Sequence, residues 1–166
     1  ADDALLNQVF AVLVTAHYQT KPSDLKMLLD NKEIRLLCLF SEGSSGQQVV
    51  AVALLINEGS FGGNIFDTDK ISAVNHSKRR LKNNFIPQSL LTQCSIEQAF
   101  NYHYLRVMRI AVHPQVQQQG IGRYFMEHIT HYARSQGADF VASSFGATKR
   151  LLSFWLTNDF KLAFTP

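Results

Sequence analysis

The sequence predicts one mixed α/β domain, a mostly antiparallel sheet packed by helices. Three observations lead there. Apolar runs of strand length stand at Ile34 to Phe40, Val49 to Ile56 and Leu105 to Val112. Helical periodicity precedes the first of these runs and follows the last, which passes through a glycine-containing turn directly into an amphipathic stretch. At 166 residues the chain is long enough for one real core and too short for two independently folding domains.

Taken in order, Leu5, Leu6, Val9, Phe10 and Leu13 recur at helical spacing behind Asp2 and Asp3, which can cap a first helix running to about Ala16. Pro22-Ser23-Asp24 starts a short second helix with Leu25, Leu28 and Leu29 on one face. The first two apolar runs flank Ser41 to Gly46, a turn segment, and pair as a hairpin. From residue 58 to 103 no periodicity is sustained, and the segment reads as an irregular insert. Order returns with the strand ending at Val112, a helix from Ile121 to about Gln136 capped by Gly137, a strand Phe140 to Ser143, a helix Thr148 to Thr157 and a last strand Phe160 to Phe164. The helix after Val112 places Ile121, Phe125, Ile129 and Tyr132 on one face.

An apolar fraction of 46% and a charged fraction of 17% exclude a disordered chain and a coiled coil. No run approaches the ~18 apolar residues of a membrane span, and no basic n-region opens the chain, so a cytoplasmic location is expected. Cys38 and Cys94 lack metal or redox spacing and read as free thiols. His128 and His131 lie three apart, but no cysteine or carboxylate cluster completes a metal site, and both read as surface residues. The net charge of +3 suits an anionic partner without choosing one. Without an initiator Met, the chain reads as a domain taken from a larger protein.

The chemistry centres on Gln117-Gln118-Gln119-Gly120-Ile121-Gly122-Arg123, between the strand and its helix. Such a turn presents unpaired backbone N–H groups at a helix start, where they form a nest for phosphate. Gly120 and Gly122 permit close approach or a positive φ, while the charge of Arg123 opposes the helix dipole unless an anion binds beside it. A P-loop string occurs nowhere in the chain, and the third glycine of a dinucleotide fingerprint is replaced by Phe125. The remaining pattern, Gln117-x-x-Gly120-x-Gly122 after Arg109-Ile110-Ala111-Val112-His113-Pro114, resembles the pyrophosphate signature of GCN5-related N-acetyltransferases (GNAT).

Further strings resemble the acetyltransferase domain of the tRNA(Met) cytidine acetyltransferase family. They are Ala16-His17-Tyr18-x-Thr20-x-Pro22-x-Asp24-Leu25, Ile86-Pro87-Gln88-Ser89-Leu90, Arg106-Val107-x-Arg109-Ile110-Ala111-Val112-His113-Pro114 and Ser144-Phe145-Gly146-Ala147. The resemblance implies a GNAT fold with the insert standing before the fourth core strand. It implies acetyl-CoA as acetyl donor, with Ile110, Ala111 and Val112 along the acetyl-pantetheine arm and Gln117, Gln118, Gln119, Gly120, Ile121, Gly122 and Arg123 around the pyrophosphate. Its acceptor would be the exocyclic amine of the wobble cytidine of elongator tRNA(Met). ATP would enter only through a helicase-like ATPase module of the parent protein, since this chain has no Walker motif.

Such an amine loses a proton as the amide forms, and a neutral imidazole is a suitable acceptor. The resemblance makes His17 that group, with Tyr18 beside it; the plainer reading is that His17 caps the first helix and Tyr18 packs. Many GNAT members carry a leaving-group tyrosine where this chain has Phe154-Trp155, and Trp155 reads first as a core anchor. Lys149-Arg150 stands where relatives often carry an acid, which suggests contact with a CoA phosphate or RNA. The cluster Lys78-Arg79-Arg80-x-Lys82 can neutralise tRNA phosphates, and Asn83, Asn84 and Phe85 can contact bases; a solvated basic loop is the competing reading. An acetyltransferase for a protein or small-molecule amine, and a non-catalytic acyl-CoA or RNA-binding module, are the alternatives.

Overall fold

The computed structural model describes residues 3–16, 21–63, 66–75, 81–146 and 148–165. Helices α1 (Asp3–Ala16) and α2 (Pro22–Asp30) precede strands β1 (Ile34–Gly43) and β2 (Gly46–Gly59). Helices α3 (Thr68–Asn75) and α4 (Phe85–Cys94) follow, then β3 (His103–Val112), α5 (Ile121–Ser135), β4 (Phe140–Ser143) and α6 (Lys149–Thr157). The four strands form one sheet in the order β1-β2-β3-β4. Contacts group the chain into two compact units, one of Ala1–Leu55 with Val107–His131 and one of Ile56–Arg106 with Tyr132–Pro166.

β2 pairs antiparallel with β3, since His113 N donates to Val50 O at 2.8 Å and Ser60 N to Tyr102 O at 2.9 Å, running the two strands past each other. β4 begins beside the start of β3, where Asp139 N reaches His103 O at 2.8 Å, so these two strands are parallel and α5 is their crossover.

In the first unit Val9, Val12 and Leu13 of α1 and Leu25 of α2 are buried against Val49, Val52 and Leu54 of β2 and Ala111 of β3. Gln8 ties α1 to the strand by accepting from Val49 N at 2.9 Å. Cys38 packs on this core, and burial pushes its thiol pKa up; it and Cys94 are free thiols. The buried stripe of α5 is Phe125, Met126, Ile129 and Ala133; the expected face is rotated, with Ile121 and Tyr132 only half-buried.

The second unit corrects two expectations. The 58–103 insert is not irregular, because it contains α3, α4 and a 3-10 turn Ala99–Asn101. Asp67 Oδ1 caps α3 by accepting from Lys70 N at 2.8 Å, and Leu91 of α4 packs with Ala99 and Phe100 in a core joined by Phe66, Ile71, Leu81 and Leu90. Short helices of low amphipathicity leave a weak periodic signal, and tertiary packing supplies their stability. Among the described residues, it is the third strand, β3, that follows this insert. Phe160 to Phe164 is likewise not a strand. Asp159 takes a left-handed φ of 65°, Phe160 N closes α6 on Trp155 O at 3.1 Å, and the Phe160 ring lies edge-on to Trp155. The first residue of that apolar run is therefore spent on ending the helix.

Gly59 shows why β2 stops where it does. Its φ is 77°, and a Cβ there would stand 2.1 Å from Tyr102 O. Gly59→Ala should destabilise the chain by more than about 2 kcal/mol in urea unfolding, whereas Gly62→Ala should lose about 1 kcal/mol. Gly62 has a similar left-handed φ of 56° but open space around it.

The buried Tyr104 hydroxyl donates to Ala99 O at 2.7 Å. Its pKa is pushed up to about 12, first by desolvation, then by Tyr102 and Asp139. A raised folded-state pKa stabilises fully below the unfolded value near 10 and is lost as pH climbs through about 12. Tyr104→Phe should therefore lose less stability than the parent chain between those two pH values, measured by urea midpoints at each.

Candidate functional site

The turn after β3 is built from the end of the ladder outward. His113 follows the strand, and its Nδ1 accepts from Gln115 N at 3.2 Å, capping the 3-10 turn Pro114–Val116. Gln117 is extended and folds its side chain back, Nε2 donating to Val112 O at 3.0 Å. The turn is thereby pinned to the strand it leaves.

Two left-handed residues then aim the chain into α5: Gln118 with φ 62° and Gly120 with φ 79°. Gly120 O accepts from Tyr124 N at 3.0 Å, the first bond of the helical ladder. The N–H groups of Ile121, Gly122 and Arg123 therefore head the helix, where no intrahelical carbonyl can meet them. Among the described residues nothing lies within 4 Å of where a Gly120 Cβ would be, so the chain is uncrowded on that side of Gly120. Gly122 is helical and carries no positive φ, which assigns the conformational demand to Gly120 alone.

Arg123 pairs with Glu127 at 3.8 Å, both side chains about seven-tenths exposed at 72% and 69%. An exposed pair at that distance contributes little and leaves the guanidinium able to turn to a bound anion. The arrangement offers a cluster of backbone donors, one mobile cation and a helix dipole, which together fit a pyrophosphate.

Ile110, Ala111 and Val112 end β3. In the sheet order β3 stands between β2 and β4. Ala111 is buried while its two neighbours are half-buried. Arg109 is half-buried, donates from Nη1 to Met108 O at 2.9 Å and has no carboxylate within ion-pair distance among the described residues.

The other candidates separate. His17, Tyr18, Lys78, Arg79 and Arg80 lie outside the described residues. Lys82 is exposed, as are Lys149 and Arg150 in the first turn of α6, which Thr148 caps by accepting from Leu151 N at 3.3 Å. Trp155 is the core anchor its plainer reading made it: it is buried, with Phe145, Phe154 and Phe160 rings at 5.7, 5.3 and 4.7 Å. His128 and His131 are exposed, and His128 meets Tyr124 edge-on.

One group was missed by the sequence reading. Glu58, at the end of β2, is fully buried and pairs with Arg106 of β3, Nη1 to Oε2 at 3.4 Å. Beside it His103 shares a hydrogen bond with Asn57 Oδ1 at 2.7 Å and stacks on Phe61. The available signal was an acid two residues beyond a continuous apolar run, with an arginine inside the next strand.

Among the described residues no helix is long and apolar enough to cross a membrane. Residues 8–140 match the family model described as GNAT acetyltransferase 2. The chain is 40% identical over 96% of its length to "tRNA(Met) cytidine acetyltransferase TmcA" of Nitrosococcus halophilus, and 40% identical over 93% to the protein of the same name in Vibrio cholerae. It spans about a fifth of the length of these curated relatives, 20% of each. Solved structures share the fold at low identity. An aminoglycoside 6'-N-acetyltransferase from Acinetobacter haemolyticus matches with TM-score 0.61 and 12% identity, covering 100% of this chain and 91% of that one. A ribosomal-protein-alanine N-acetyltransferase from Brucella melitensis matches with TM-score 0.59 and 9% identity, over 96% and 88%. With the strand-to-helix turn of residues 117–123 inside the matched segment, the chain belongs to the GNAT acetyltransferase 2 family.

Proposed function

We propose that the chain is a single acetyltransferase domain that transfers an acetyl group from acetyl-CoA to the exocyclic N4 amine of the wobble cytidine of elongator tRNA(Met), in the cytoplasm. The observation that carries the donor is the start of α5, where Gln118 and Gly120 turn the chain into the helix and the position of a Gly120 Cβ is open. The acceptor rests on the tRNA(Met) cytidine acetyltransferases, 40% identical over nearly the whole chain. Their greater length supports a parent protein in which an ATPase module handles the RNA.

In this reading Ile121, Gly122 and Arg123 hold the pyrophosphate through backbone N–H groups, and the Arg123 side chain adds its charge. The end of β3, at Ile110, Ala111 and Val112, orients the pantetheine arm. Acetyl-CoA supplies an activated thioester whose carbonyl carbon accepts the amine and whose sulfur leaves as thiolate. Backbone donors at the end of β3 stabilise the oxygen on which charge develops, and alignment of the two substrates supplies much of the rest. His17 takes the proton that the amine loses, with Tyr18 beside it. Lys82, with Lys78, Arg79 and Arg80, neutralises RNA phosphates.

Calorimetric titration of acetyl-CoA into the chain and its Gly120→Glu variant tests the donor site. A carboxylate in that open space repels the pyrophosphate, and affinity should fall at least about tenfold, a loss of about 1.4 kcal/mol. Equal affinities would remove the turn from the site. The catalytic assignment is checked in a full-length protein of this family carrying the matching segment. His17→Ala should lower acetylcytidine formation in tRNA by about 100-fold or more with acetyl-CoA affinity unchanged, and undiminished acetylation would exclude His17 as the base. Acetylation of a peptide or polyamine with none on tRNA would favour the alternative acceptor.

A further inference from the structure

Phe85 opens α4 and keeps 48% of its surface exposed, although the next two residues, Ile86 and Pro87, are buried. One face of its ring is covered by the Arg106 guanidinium, 4.7 Å from the ring centroid. Arg106 is held in turn by the fully buried Glu58, and the other oxygen of that carboxylate accepts from Ile86 N at 2.8 Å. Glu58 therefore fixes both the cation behind the ring and the backbone that carries the ring. The approach to the helix is pinned as well: Asn84 accepts from Gly59 N at 2.8 Å and donates to Lys82 O at 3.0 Å.

Stability alone does not account for this arrangement. Arg106 Nε is buried without a hydrogen-bond partner among the described residues, and an apolar residue in place of a buried ion pair is often neutral or stabilising. The result is a rigid aromatic plate, backed by a cation and open to solvent. The amide of Asn84 is committed to Gly59 N and Lys82 O, which leaves Phe85 the better placed of the two to contact a base. Exposed Lys82 lies three residues before Phe85 and ends the sequence run Lys78-Arg79-Arg80-x-Lys82.

We propose that Phe85 is a stacking platform for one unpaired nucleobase of the RNA substrate, with Arg106 and Glu58 as its positioning residues and Lys82 as a contact to the adjoining phosphate. This deepens the RNA reading and rests on it. A ring face is sequence-tolerant because every base has a π face, so the platform seats a looped-out nucleotide and does not identify it.

The test measures binding of two fluorescein-labelled RNAs to this chain by anisotropy: a stem-loop with a seven-nucleotide unpaired loop, and a fully paired duplex of the same length. Phe85→Leu keeps an apolar side chain and removes the ring. It should weaken the stem-loop about tenfold and leave the duplex and acetyl-CoA affinities as they were. Phe85→Trp should retain stem-loop affinity, and its added indole emission should be quenched by the stem-loop but not by the duplex. Arg106→Met in that background should diminish the quench with acetyl-CoA affinity preserved. Unchanged stem-loop affinity in Phe85→Leu, or equal losses on both RNAs, overturns the platform while the RNA reading stands. Failure of the parent chain to bind either RNA overturns the RNA reading and the platform with it.

Discussion

β2 pairs with β3 through His113 N on Val50 O and Ser60 N on Tyr102 O, and the core of the first unit is laid against Val49, Val52 and Leu54 of β2 and Ala111 of β3. β2 is buried without interruption from Val49 to Ile56, a pattern that arises only when both faces of a strand are covered. α1 is docked on the first part of the ladder by apolar contact and by the Gln8 hydrogen bond to Val49. At the far end, Gly59 lets the backbone pass close to Tyr102, and Ser60 Oγ continues the contact by donating to Phe100 O at 2.7 Å. Slipping this pairing by one residue would turn the side chains of β3 onto the wrong faces.

The turn between β3 and α5, the proposed pyrophosphate site, depends on the same ladder. His113 belongs to its last rung, and its ring caps the 3-10 turn that follows, while Gln117 is tied to the carbonyl of Val112. What is presented to an anion is therefore mainly backbone, with direction set by two left-handed residues. Most side chains of the turn are exposed and make few contacts, consistent with a site whose chemistry is in its N–H groups.

The Glu58–Arg106 pair solves a different problem. A buried carboxylate needs partners for both oxygens, and here one partner is a guanidinium from β3 and the other is the first turn of α4. The helix gains a negative charge at its N-terminus, which its dipole favours, and loses a frayed end. Arg106, whose buried Nε has no hydrogen-bond partner among the described residues, is placed by its bond to Glu58 and by the ring of Phe85.

The hairpin, the helix after Val112, the Gly137 cap and the glycine turn between β3 and α5 were legible in the sequence because each rests on a local rule: period, a capping residue, or a glycine where φ must be positive. Gly137 does take φ 74° and Gly120 φ 79°. The family was legible because its strings are themselves local. The helices of the 58–103 insert were not, since short segments such as Phe85–Cys94 are helical through what they pack against. Phe160 to Phe164 had the composition of a strand, but its first residue was taken by the end of α6. The join of Glu58 to Arg106 and Phe85 spans 48 residues in the chain at its ion pair and 28 at its backbone bond. No local pattern encodes such contacts; only the antiparallel ladder, by folding distant residues side by side, decides them.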